Sequence, residues 1–69
     1  MLSKSDYENY LIQMRELELD MMQTYQKCAN EIKDKKIKKI FTELANSEKE
    51  HAQLVVDIAD LICPEQTIF

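Results

Sequence analysis

Sixty-nine residues make one small domain at most, and a chain of that size seldom buries enough apolar surface to be stable without a staple or a partner. A formal net charge of -4 and a pI near 4.8 argue against general nucleic-acid binding, which calls for a basic face. Apolar runs last only a few residues, far short of the roughly 20 that a bilayer span requires, so a soluble, non-membrane protein is expected. Cys28 and Cys63 form no Cys-x-x-Cys pair and follow no secretory leader, so free thiols and a cytoplasmic setting are expected.

The chain has no glycine, and Pro64 is its one proline; good helix formers dominate, which predicts an almost wholly helical protein. Ser5 followed by Glu8 fits a capping box, so a first helix is expected over about residues 5–32. Tyr7, Leu11, Met14, Glu18, Met21, Tyr25, Cys28 and Ile32 follow steps of four and three, the signature of one buried face, and Glu18 alone breaks its apolar character. Continued past Ile32, the same rhythm meets Lys35, Lys39, Thr42 and Asn46, all polar, so the register ends there. A turn is expected over about 30–34, with Lys33 suiting the negative end of the first helix and Asp34 capping the second. The lysines at 33, 35, 36, 38 and 39 read as a solvated turn.

A second helix over about 35–62 carries its own stripe through Ile37, Phe41, Leu44, Glu48, His51, Val55, Ile58 and Ile62. Pro64 disfavours helix in the residue before it and ends the element, leaving residues 63–69 as an unassigned tail. The expected architecture is all-α: a single domain over 1–69, built as an antiparallel two-helix hairpin that dimerises into a four-helix bundle.

Glu18, Glu48 and His51 occupy stripe positions where leucine would be normal, and burying an ionised carboxylate unpaired costs several kcal/mol. In an antiparallel hairpin, Glu18 lies about as far before a turn centred near residues 33 and 34 as Glu48 and His51 lie after it. The three side chains can therefore converge, roughly 22 Å from the turn at 1.5 Å per residue. The spacing Glu48-Lys49-Glu50-His51 sets a carboxylate and an imidazole on neighbouring points of one helical face, within reach of a single cation. One hairpin supplies too few donors for a dinuclear centre; a twofold dimer doubles them to the ligand set of dimetal bundles. Oxygen and nitrogen donors without thiolate favour iron or manganese, with zinc compatible, and two ions per dimer are expected.

Tyr25, one heptad after Glu18, is placed to hydrogen-bond a ligand carboxylate from behind, or simply to fill the core. Met14, Met21 and Cys28 read as packing, and Glu16, Asp20 and Glu50 as solvated. The plainer alternative is a buried Glu18–His51 structural pair with Glu48 tilted toward solvent.

On Glu18 with Tyr25 seven residues later, then Glu48-Lys49-Glu50-His51-Ala52, the chain resembles the ferritin-like superfamily over about residues 10–60, especially its half-length encapsulated-ferritin branch and the rubrerythrin group. That resemblance implies carboxylate ligation by Glu18 and Glu48, one of them bridging two metals, a terminal ligand in His51, and oxidation of ferrous iron by dioxygen or peroxide. The chain departs from the pattern at Thr24, where half-length ferritins often carry an aromatic residue. It has no four-cysteine iron domain of the rubrerythrin kind, and after Pro64 it has no extended linker and targeting peptide of the encapsulin-cargo type, which leaves only the tail ending Thr67-Ile68-Phe69 to contact an encapsulin shell. The expected function is thus a di-iron carboxylate oxidase of ferrous iron at a site shared by two chains. The alternative is a non-catalytic helical dimer held together by metal.

Overall fold

The computed structural model describes residues 1–64; the expectation for the end of the tail falls on residues 65–69, outside the described part. Two α-helices of equal length, α1 (Lys4–Glu31) and α2 (Lys35–Ile62), pack against each other as an antiparallel hairpin. Its described residues form a rod of 47 × 19 × 15 Å, and no helix among them is long and apolar enough to cross a membrane.

The start of α1 departs from the sequence expectation. Ser3, not Ser5, is the N-cap: its Oγ accepts from the Asp6 amide at 3.1 Å, and the Asp6 carboxylate accepts from the Ser3 amide at 2.9 Å. Aspartate is short for the third position of a capping box, but it reaches the amide here, and Ser5 and Glu8 are left inside the helix. Hydrogen bonding from Ser3, by its backbone amide first and its side chain second, holds the Asp6 carboxyl below its ordinary value.

Asp34 caps α2 as expected, its Oδ1 accepting from Lys36 N at 2.9 Å and Ile37 N at 3.1 Å. The turn needs no glycine because Ile32 and Asp34, which flank Lys33, are extended, at φ/ψ of -80/134 and -67/121, a conformation any residue adopts.

The seam between the helices is offset from the apolar stripes read in the sequence. Its buried residues are Leu11 and Ala29 on α1 and Ala45, Glu48, Ala52, Val55 and Ala59 on α2. Leu11, Val55 and Ala59 form the core cluster, joined by Ile62, and nearer the turn the rings of Tyr25 and Phe41 meet at 6.2 Å. Ala45, Ala52 and Ala59, spaced by sevens, line one edge of α2, where small side chains bring the backbones close. By contrast Tyr7, Met14, Ile37, Leu44 and Ile58, all expected in the core, are 38–46% exposed.

These bulky residues sit on one flank of the seam on each helix. Because the helices are antiparallel, displacement in the same rotational sense brings both flanks to the same side of the hairpin. One face is therefore apolar and uncovered. It continues through Tyr10, Leu17, Ile40, Leu54 and Leu61, each at least half exposed. Among the described residues, four of the seven buried apolar ones are alanines, so the hairpin alone withdraws little apolar surface from water.

Candidate metal centre

Glu18 stands at the middle of α1, with residues 4–17 before it and 19–31 after, and Glu48 stands at the middle of α2, between 35–47 and 49–62. Both lie on the seam, and that is why they face each other. His51, one turn beyond Glu48, is turned toward the uncovered flank. The structure brings together the three residues singled out in the sequence: one donor atom from each of Glu18, Glu48 and His51 lies within 4.8 Å of the others, a grouping able to hold a metal ion.

His51 Nδ1 is 3.5 Å from Glu18 Oε2 and 3.6 Å from Glu48 Oε2, both long for a hydrogen bond. The two Oε2 atoms are buried and have no hydrogen-bond partner. Exposure grades across the cluster: the side chain of Glu48 is 12% exposed, that of Glu18 23% and that of His51 53%. Glu48 is thus the deepest of the three, which removes the alternative in which it tilts toward solvent. Carboxylate oxygens buried without a donor are costly, and two of them aimed at one imidazole nitrogen form an anionic cup that a cation would complete. Oxygen and nitrogen donors of this kind fit iron, manganese or zinc.

Tyr25 is not drawn into this cluster. Seven residues along α1, about 10 Å from the level of Glu18, it is half-buried against Phe41, and its hydroxyl makes no hydrogen bond among the described residues. Of the apolar stripe residues on either side of the site, Val55 is buried and Met21 half-buried, whereas Met14 and Leu44 are exposed in the single chain. Sequence reading passed over Ala45 and Ala52, the small residues that flank Glu48 on the seam; their sevenfold spacing with Ala59 was the available signal. A groove lined by Gln26, Asn30, Thr42 and Asn46 over a floor of Ala29 and Ala45 lies nearer the turn, on the opposite flank, and shares no residue with the cluster.

A helical hairpin with two carboxylates and an imidazole converging at mid-length falls in the class of ferritin-like helical proteins. More narrowly, the sequence model of the rubrerythrin family matches residues 3–66, and the chain belongs to that family, whose members typically bind iron. No curated protein and no solved structure matches the chain.

Proposed function

We propose that two hairpins pair across the apolar face and hold two metal ions between them, iron by preference, and that the assembly oxidises ferrous iron with dioxygen or peroxide. The observation that carries this reading is the pair of buried, unpartnered Oε2 atoms on Glu18 and Glu48, both aimed at His51 Nδ1. Their burial is explicable if a cation completes the group, and family membership makes iron the first candidate. One chain offers two carboxylates and one imidazole; a twofold pair offers four and two, the set used by dimetal carboxylate bundles.

Bound iron would supply the one-electron chemistry of oxygen reduction. The chain supplies the rest. Glu18 and Glu48 concentrate negative charge at a point already taken out of water, which favours the more highly charged, oxidised cation. The imidazole of His51, half-exposed, is the donor nearest the open flank and so the group a second chain or an entering oxidant meets first. Leu11 and Val55, one heptad from Glu18 and Glu48 along the seam, are 5% and 3% exposed and close the hairpin side of the site to water.

Rapid mixing of the anaerobic, ferrous-loaded protein with oxygenated buffer tests the proposal. Glu18→Ala and His51→Ala should each abolish the fast phase of iron oxidation, while Glu16→Ala, an exposed carboxylate on the same helix, should retain it; unchanged helicity is the control. Oxidation by Glu18→Ala as fast as by the parent protein would refute the site. Metal binding without turnover in the parent would leave a metal-stabilised dimer and refute the oxidase.

A further inference from the structure

The groove near the turn has a lining whose chemistry differs from that of its surroundings. Nine of residues 26–46 are charged, yet none of them lines it. Its polar walls are Gln26 and Asn30 on α1 and Thr42 and Asn46 on α2, all exposed, and its floor is Ala29 and Ala45, 6% and 4% exposed. Each of the three carboxamides offers two donors and an acceptor. The Thr42 hydroxyl donates to the Lys38 carbonyl at 2.9 Å, which leaves its oxygen as an acceptor. Such a lining has no counter-charge for an ion; it suits a neutral ligand that presents donors and acceptors together.

The spacing narrows the ligand further. Gln26 and Thr42 stand about equally far from the turn and are level across the groove. Asn30 lies one helical turn closer to the loop, and Asn46 one helical turn further from it. Successive levels are therefore about 6 Å apart, from four residues at 1.5 Å each. An extended polypeptide repeats every two residues, at roughly 6.6–6.8 Å, and its backbone N–H and C=O groups project from its two edges, alternate residues to alternate edges. Gln26 and Asn30 on one wall match one edge of such a chain, and Thr42 and Asn46 on the other wall match the other. Its side chains point alternately toward the floor and away from it. Two alanine methyls make that floor shallow, so the inward side chains must be small. The groove volume of about 340 Å³ lies at the lower end of the range for ligand sites, and three levels span about 12 Å, the length of roughly four extended residues.

We propose that this groove binds a short, uncharged, extended segment of another polypeptide through its backbone, with small side chains facing Ala29 and Ala45. The groove lies on the flank opposite the apolar face and shares no residue with the acidic cluster, so it stays open when hairpins pair and when metal binds.

The probe is an acetylated, amidated pentapeptide of alternating serine and alanine, titrated into the full-length, nitrogen-15-labelled protein and followed by nuclear magnetic resonance. The side-chain NH2 signals of Gln26, Asn30 and Asn46 should shift together and saturably at millimolar peptide. Asn30→Ala and Asn46→Ala should each weaken binding by up to about tenfold, the loss of one net hydrogen bond; alanine is the better helix former, so a lost response is not a lost fold. The same peptide methylated on its backbone nitrogens keeps its side chains but lacks the donors, and should not bind. Equal binding by the methylated peptide, or the same shifts with sucrose in its place, would overturn recognition of a backbone. So would the absence of a saturable shift in the parent protein, a result that leaves the metal site untouched.

Discussion

Replacing Glu48 with leucine should make the metal-free protein more stable. The wild-type residue is 9% exposed, its Oε2 lacks a hydrogen-bond partner, and a second carboxylate, that of Glu18, lies beside it. Exchanging a buried ionic group for an apolar one of similar volume is commonly neutral or stabilising by about 1–4 kcal/mol. Here the gain should fall at the lower end, about 1–2 kcal/mol, because His51 keeps access to water and is not orphaned by the change. For a domain of this size about 1 kcal/mol moves the melting temperature by about 4–8 °C, so thermal melts followed by circular dichroism in chelator should rise by roughly 5–15 °C. Ferrous iron added without oxygen should reverse the order. At a hundredfold excess over its dissociation constant the parent gains about 2.7 kcal/mol, while the variant, short of a ligand, gains little. A Glu48→Leu protein that melts below the parent in chelator would show that the carboxylate is a structural partner of His51 and would refute the reading of a site built to receive a cation.

Three further outcomes follow from the packing and the caps. Ala52→Leu, at a seam residue 6% exposed, should force the helices apart and cost about 1–3 kcal/mol in denaturant titration. Leu54→Ser, at a residue 56% exposed in the single chain, should leave the hairpin seam intact but weaken association, seen as a shift toward monomer in sedimentation. Ser3→Ala should cost about 1 kcal/mol by removing the α1 cap, and the loss should depend on pH. The Asp6 carboxyl is held below its ordinary value of 3.8 chiefly by the backbone amide of Ser3, which alanine keeps, and in lesser part by the Ser3 side chain, which alanine lacks, so the side chain's part is fully present above that value and disappears as pH falls through the lower, folded value. An acid titration of stability should therefore be only slightly shallower in the variant, which keeps the backbone donor.

The hairpin was legible in the sequence because its signals were local and independent. The polar break after Ile32, Asp34 as a cap and Pro64 as a stop are each properties of one or two residues, and together they bound the helices and set the height at which Glu18 faces Glu48. The convergence of Glu18, Glu48 and His51 followed from that height alone. The seam was not legible in the same way. Hydrophobic periodicity weights bulky residues, so it passed through Met14, Leu44 and Ile58 and ranked Ala45, Ala52 and Ala59 below them, whereas two helices close most tightly over the smallest side chains. The bulky residues serve a second surface that a single-stripe reading merges with the first. Ser3 was missed for a similar reason, since aspartate at the far side of the box departs from the usual glutamate or glutamine. Tyr25 shares the apolar face of Glu18, and its ring meets that of Phe41, a contact that heptad spacing alone does not announce.

The claim on which the rest depends is that each chain contributes half of a dinuclear site. Native mass spectrometry of the protein titrated anaerobically with ferrous iron counts ions and chains in the same species. A shared dinuclear site predicts a dimer that fills to two ions and no further, with Glu18→Ala unable to reach that count. A dimer saturating at one ion, or a folded monomer carrying its own metal, would contradict it.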